Sequence, residues 1–309
     1  MKKCVIIYNP NSGKKIKKDF LATFIDMLLD KDYIPEIIFS KYKGHITKIV
    51  EEMDSVDLVI SIGGDGTFNE SMAGNLKRNE RLLLAHIPVG TTNDIGVMFG
   101  YGKDIIENIK MLLDGVEKSI DICTINGIPF VYVAGFGKFM NVPYETSRNL
   151  KEKYGHAAYI MEGIKEFNNS TKLYDITYEV DGQKYSGLYS FGIISNATRV
   201  AGIKDFVKGV KLDDSKFEVL LCNITKKKDI VKSLYYLTTN DITKVPGFYF
   251  HRANSMKIKF NDTEKKNWCI DGEKLEDNSN TFEIKVVKNI RLLIPRKNLK
   301  ILFLDEKQE

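Results

Sequence analysis

Leu58-Val59-Ile60-Ser61-Ile62, followed directly by Gly63-Gly64-Asp65-Gly66-Thr67-Phe68-Asn69-Glu70, decides how the chain is read. A short apolar run that stops at glycines and gives way to a periodic segment is a strand feeding a helix through a tight turn. Three glycines in four positions let the backbone approach a ligand without side-chain collision. Thr67 stands where it would cap the helix that follows, and the N–H groups of that helix would face the same ligand. Asp65 is the informative residue. A carboxylate beside a polyphosphate is repelled unless a hydrated cation, or a proton to be accepted, lies between them, so Asp65 points to Mg²⁺ or to a reacting hydroxyl. A bare glycine turn has little need of the acid.

Outward from this stretch, Val5–Tyr8, Ile34–Phe39, Leu58–Ile62 and Leu82–His86 are strand-like runs, and Asp19–Leu29 and His45–Met53 carry apolar residues at helical spacing. The βαβα rhythm predicts a parallel sheet with helices on both faces over residues 1–124. Beyond it the pattern turns to strands separated by turn pairs. Asn126-Gly127 joins Ile122–Ile125 to Ile128–Ala134, and Asp181-Gly182 joins Lys172–Val180 to Gln183–Phe191. Phe217–Asn223, Ser255–Phe260, Trp268–Ile270 and Phe282–Val287 continue it, interrupted by helical segments near Arg148–Phe167 and Lys227–Leu237. A mainly antiparallel second domain over 125–294 follows. Ile290–Ile294 and Leu299–Leu304 return to the first domain, which regains residues 295–309.

Ligands of an open α/β sheet collect beyond the carboxyl ends of its strands, and two further loops at such ends are unusual. Asn9-Pro10-Asn11-Ser12-Gly13-Lys14 offers small and polar residues ahead of a helix, although the same residues make ordinary turns. Pro88-Val89-Gly90-Thr91-Thr92-Asn93-Asp94 sets two threonines, an amide and a second acid before another helix; an N-cap cluster is the plainer reading. Asp121 ends the last strand of the first domain and adds a third acid. No Walker A pattern occurs, and the protein-kinase motif set is missing.

Composition narrows the partners. The chain has 309 residues, 43% hydrophobic and 28% charged, and a net charge of +5 that is too small and dispersed to argue for nucleic acid. Cys4, Cys123, Cys222 and Cys269 form no CxxC pair, which fits a reducing, cytoplasmic setting without disulfides. No stretch approaches the ~20 apolar residues that span a bilayer, so a lipid substrate would be met from the water side, at the inner face of the membrane.

Taken together, Asn9-Pro-Asn-Ser-Gly13, Gly63-Gly-Asp-Gly-Thr67-Phe-Asn-Glu70 and Gly90-Thr-Thr-Asn-Asp94 resemble the diacylglycerol kinase catalytic family, which includes bacterial diacylglycerol, sphingosine and ceramide kinases. The likeness extends to Leu212-Asp-Asp214 and Asp271-Gly-Glu273. It implies an α/β plus mainly β architecture: an NAD kinase-like two-domain fold with an N-terminal parallel-sheet domain and a C-terminal antiparallel β-sandwich. It also implies an ATP- and Mg²⁺-dependent lipid kinase. The nucleotide would be bound by Asn9, Pro10, Asn11, Ser12, Gly13, Lys14, Ser40, Gly64, Asp65, Gly66, Thr67, Phe68, Asn69, Glu70 and Thr91. Asp65, Asp94 and Asp121 would hold a water network around the Mg²⁺ on ATP. Glu273 would be the general base, and Asp214 with the carbonyls of Lys211 and Lys216 would hold a structural metal. A homodimer belongs to the same likeness.

The pattern departs at Ile95-Gly96-Val97, where the soluble diacylglycerol kinases of that family usually carry an aromatic, a small residue and an arginine. Val97 leaves the acceptor lipid open. Two other readings stand beside this one: an NAD kinase-like nucleotide kinase sharing the GGDGT turn, and a lipid-binding regulatory protein of weak catalysis. The Lys14-Lys15-Ile16-Lys17-Lys18 run reads mainly as a solvated helix face, and His86 as a satisfied core histidine. His45, His156 and His251 show no partner in the sequence. Tyr144, Tyr154 and Tyr159 fit a lipid entrance and core packing equally well.

Overall fold

Short apolar runs bounded by glycine and polar residues become the parallel strands β1 (Lys2–Tyr8), β2 (Tyr33–Phe39), β3 (Leu58–Gly63) and β4 (Leu84–Pro88). Helices α1 (Phe20–Leu29), α2 (His45–Glu52) and α3 (Asp65–Leu76) connect them in turn. α4 (Asp94–Met98), α5 (Ile105–Leu113) and β5 (Val116–Ile125) follow. The structure is a computed structural model that describes residues 1–12, 20–137, 172–200, 203–204, 207–226, 229, 246–262, 266 and 268–304. Two units divide the chain: Met1–Ile122 with Val287–Glu309, and Cys123–Val286.

In the first unit the strand order is β2-β1-β3-β4. β3 and β4 are buried along their whole length, as parallel strands covered on both faces must be, whereas β2 at the edge is half exposed. The order reverses between β1 and β3, the switch point where such sheets open a crevice. Tyr8 lies opposite both Phe39 and Ile62, and Gly63 opposite Pro88, so the loops leaving all four strands start level on one sheet edge. α2 packs closely on α3 at Gly74, where an added Cβ would lie 2.4 Å from the Thr47 carbonyl oxygen and 2.9 Å from Val50 Cβ.

The second unit is a sandwich. Its strands are β6 (Ile128–Phe130), β7 (Val133–Gly137), β8 (Tyr174–Val180), β9 (Gln183–Tyr189), β10 (Phe191–Ser195), β11 (Arg199–Val200) and β12 (Ile203–Lys204), then β13 (Phe217–Cys222), β14 (Phe248–Ala253), β15 (Ser255–Phe260), β16 (Trp268–Ile270), β17 (Glu273–Lys274) and β18 (Thr281–Ile294). One sheet runs β14-β13-β10-β7-β16-β17, entirely antiparallel. The facing layer is β9-β8-β15 with the first half of β18. Between them Phe136, Phe260, Trp268 and Phe282 are buried, with edge-to-face contact between Phe136 and Phe260 at 4.9 Å and a tilted one between Trp268 and Phe282 at 5.1 Å. Asn126-Gly127 and Asp181-Gly182 form the expected two-residue turns with positive φ at both positions, and Asp271-Gly272 makes a third. The later part of β18 rejoins the first unit beside β4, with Leu292 opposite Leu84, and α6 (Leu299–Leu302) follows it.

Several expected boundaries move. The run Ile128–Ala134 is two strands, because the backbone N–H groups of Val131 to Val133 turn to the Asp271 carboxylate instead of a ladder. Gln183–Phe191 breaks at Ser190, whose N–H and hydroxyl both bond the Cys222 carbonyl. Phe282–Val287 and Ile290–Ile294 are one strand, β18, and β14 was not anticipated because its burial does not alternate cleanly. The helical segments near 148–167 and 227–237, the 14–18 lysine run, and Tyr144, Tyr154, Tyr159 and His156 lie outside the described residues. All four cysteines are free and buried; burial pushes the Cys4 thiol up to about 12 and the Cys222 thiol up to about 11.

His86 is a core residue, as read, but only one of its two ring nitrogens is satisfied among the described residues. It sits on β4 with Nδ1 3.0 Å from Ser61 Oγ and its ring 5.1 Å from that of Phe68, while Nε2 meets no partner among the described residues. Burial pushes the imidazolium down to about 3 from an ordinary 6.5. The unfolded chain therefore takes a proton near pH 6.5 that the folded chain refuses until near pH 3, so stability is complete above 6.5 and declines as pH falls. About 2 kcal/mol of the difference between pH 7 and pH 5 belongs to this group. His86→Leu should narrow the shift in urea midpoint between those pH values. Gly74→Ala should lower stability by roughly 1–3 kcal/mol through overpacking against α2, read as a fall in thermal midpoint.

Candidate active site

Three loops meet at Gly64. A Cβ built there would lie 3.4 Å from Ser12 Oγ in the loop after β1 and 3.4 Å from Gly90 Cα in the loop after β4. A Cβ on Gly90 would come within 2.6 Å of Gly64 Cα. Glycine is therefore required at position 90 by the backbone across from it, and the freedom read from the sequence is spent on loop against loop as well as on any ligand.

Polar bonds fix this junction. Asn9 N–H donates to the Ile62 carbonyl at 3.0 Å, and Asn9 Nδ2 donates to Thr67 Oγ1 at 3.1 Å. The Asn9 side-chain oxygen accepts from Asn11 N–H, and its carbonyl from Ser12 N–H, which curls the 9–12 segment into a turn. α3 starts at Asp65 with Gly64 as its N-cap. Thr67 is consequently not the cap expected of it: it lies inside the first turn, buried, with its hydroxyl committed to Asn9. Gly63 is closed off by the same residue, since a Cβ there would overlap the Thr67 side chain.

Asp65 ties the second loop to the third. Its two carboxylate oxygens accept the backbone N–H groups of Asp94 at 3.0 Å and Ile95 at 3.1 Å, the first residues of α4. Asn93 enters that helix with φ 52° and donates from Nδ2 to the Gly90 carbonyl at 2.9 Å. Asp94 and Asp121 are buried acids of the same unit. Ser40 is buried at the end of β2 with its N–H on the Tyr8 carbonyl, and Thr91 is exposed.

Other members of the expected nucleotide set face elsewhere. The Phe68 side chain is buried against His86. The Glu70 carboxylate accepts from Ile46 N–H at 3.3 Å and its carbonyl from the Thr47 hydroxyl, both at the start of α2, so its side chain serves helix packing. Asn69 and Gly66 lie on the first turns of α3. Pro10 and Asn11 stand exposed at the loop tip, whereas Gly13 and Lys14 fall outside the described residues.

Glu273 lies in the second unit, exposed, at the start of β17. Two residues before it, Asp271 is buried and its carboxylate accepts three consecutive backbone N–H groups: Val131 at 2.6 Å, Tyr132 at 3.1 Å and Val133 at 2.9 Å. Sequence reading missed this acid; its only signal was the turn pair it shares with Gly272. In the same unit Lys211, Asp214 and Lys216 flank Ser215, whose φ is 62°. Lys216 N–H donates to Asp214 Oδ1 at 3.0 Å, and burial raises the Asp214 carboxyl above the ordinary range. Close in sequence, Glu218 is buried and pushed up to about 7 by burial, although Arg252 Nε donates to it at 3.0 Å.

Among the described residues no three His, Cys, Asp or Glu side chains cluster closely enough to hold a metal directly. Mg²⁺ keeps several waters and binds through phosphate oxygens with few protein carboxylates. The donor set here fits an ion carried on a polyphosphate better than a dedicated protein cage. No helix among the described residues is long and apolar enough to cross a membrane.

The family model for the diacylglycerol kinase catalytic domain matches residues 3–125. The Bacillus subtilis (strain 168) diacylglycerol kinase is 29% identical over 276 residues, covering 88% of this chain and 90% of that protein. A Staphylococcus epidermidis diacylglycerol kinase is 30% identical over 275 residues, covering 88% and 86%. A solved Bacillus anthracis str. Sterne structure, provisionally assigned as a diacylglycerol kinase, superposes with a TM-score of 0.78 at 26% identity over 95% of this chain and 97% of its own. Together with the three-loop junction at Gly64, these likenesses make the chain a lipid kinase, and it belongs to the diacylglycerol kinase family.

Proposed function

We propose that the enzyme transfers the γ-phosphoryl group of ATP, with Mg²⁺, to the free hydroxyl of diacylglycerol. The observation that carries the nucleotide half is the junction at Gly64, where the loops after β1, β3 and β4 come within van der Waals reach beside the β1/β3 switch point. Backbone N–H groups at the start of α3 offer a positive end for phosphate oxygens, whereas those of α4 are taken by Asp65. Mg²⁺, when bound, would neutralise charge developing between the β- and γ-phosphates. Asp65 holds the third loop against the second and, with Asp94 and Asp121, supplies acids for the ion's waters. Asn9, Ser12 and Thr67 shape the wall of the first loop.

In the reaction the acceptor hydroxyl oxygen forms a bond to the γ-phosphorus while the bond from that phosphorus to the bridging oxygen breaks, releasing ADP. The hydroxyl proton passes to the Glu273 carboxylate. Asp214, with the carbonyls of Lys211 and Lys216, is proposed to hold a separate structural cation that takes no part in the transfer. The diacylglycerol half rests on relatives of that name covering 86–90% of their own length. Val97, 40% exposed on α4, is the position that would alter the acceptor, because it offers no charge to a headgroup.

Initial rates of phosphate transfer from labelled ATP to diacylglycerol, a sphingoid base, ceramide, phosphatidylglycerol and NAD test the assignment. Diacylglycerol should be preferred, and labelling of NAD above every lipid would overturn it. Asp65→Asn should lower kcat at least a hundredfold with the circular dichroism spectrum of the parent, while the weakened bonds to α4 lower the thermal midpoint modestly. Wild-type turnover in that variant would remove Asp65 from the mechanism.

A further inference from the structure

The turn that carries Glu273 is anchored far more firmly than a hairpin turn requires. A two-residue turn of this type is specified by positive φ at both central residues, which Asp271 (φ 47°) and Gly272 (φ 86°) supply. Asp271 adds four backbone bonds to one short segment. Its carboxylate accepts the N–H groups of Val131, Tyr132 and Val133, and its own N–H donates to the Val133 carbonyl at 2.8 Å. That segment is held in turn, since the Tyr132 carbonyl accepts the Ser195 hydroxyl at 2.8 Å and Asn196 N–H at 3.3 Å. Charge-assisted bonds of this kind are about twice as strong as neutral ones.

The chain contains its own comparison. Asp181 opens an equivalent turn and also accepts backbone N–H groups, from Asn254 and Ser255, but it is exposed. Asp271 is only 6% exposed and takes its three donors at the junction of β6 and β7. Burying a carboxylate is costly. The cost secures the backbone at residues 271 and 272 and hence the starting point of the exposed Glu273 side chain.

We propose that Asp271 is a positioning residue for phosphoryl transfer: by seating its carboxylate on the 131–133 amides it fixes the turn that aims Glu273. This rests on the reading of Glu273 as the general base. Asp271 touches neither substrate nor nucleotide in this role. It acts through Glu273 alone, because misplacing a base by an ångström costs up to about a hundredfold in rate.

The test is a set of four variants of the full chain, Asp271→Asn, Glu273→Gln, Asp271→Asn/Glu273→Gln and Asp181→Asn, assayed with ATP and diacylglycerol in mixed micelles. Asparagine keeps the size of Asp271 but offers one acceptor oxygen in place of two. Asp271→Asn should lower kcat about tenfold or more with the KM for ATP unchanged, while Asp181→Asn stays within about twofold. The double variant should be no slower than Glu273→Gln alone, since a residue that acts only through another has nothing left to lose. Equal losses for Asp271→Asn and Asp181→Asn, a multiplied loss in the double variant, or wild-type kcat in Asp271→Asn would each overturn the proposal. Full activity in Glu273→Gln would instead overturn the base assignment on which it stands, whatever Asp271→Asn does.

Discussion

The carboxylate of Asp65 takes the first two backbone N–H groups of α4, and that pair of bonds holds the phosphate-type loops of the first unit in one place. Remove the acid and the start of α4 loses its tie to the loop after β3. The close approach of Gly64 and Gly90 then rests on the bond from Val89 N–H to the Gly63 carbonyl. The same residue that sequence chemistry marks as a partner for a hydrated cation is thus also a structural clasp. The two roles do not compete: each carboxylate oxygen can accept more than one bond, so the backbone amides leave capacity for water.

Carboxylates seated on main-chain amides recur through the molecule. Asp65 does it for α4, Asp181 for the strand that begins at Ser255, and Asp271 for the 131–133 segment. In each case a short acid reaches across from a turn or helix start to a neighbouring piece of chain, converting a flexible entry point into a fixed one. Long side chains could not do this without losing more rotamer freedom. The device suits loops that must be exact without being buried in apolar packing.

Much of the architecture was legible beforehand. Short apolar runs and helical apolar spacing located β1 to β4, α1 and α2, and the Asn126-Gly127 and Asp181-Gly182 pairs located two hairpins. What escaped the sequence depended on long-range partners. Nothing local shows that Val131 to Val133 face an acid about 140 residues away, so Ile128–Ala134 reads as one strand. Thr67 looks like a helix cap until Asn9 claims its hydroxyl. Phe68 and Glu70 belong to the motif that marks the loop, yet their side chains serve the core and α2. A motif records which residues recur together and cannot separate those that meet the ligand from those that hold the turn.

β18 has a consequence of a different kind. Its first half is a strand of the sandwich and its second half lies beside β4, so the first unit is closed by residues about 200 positions further along the chain. On a ribosome adding roughly 5–20 residues per second, β4 waits on the order of ten to forty seconds for that neighbour. Through that interval the nascent parallel sheet carries an open, apolar edge, whereas the second unit is contiguous and can be completed first. Order of synthesis and order of completion are therefore reversed: of the two units, the one entered first is finished last.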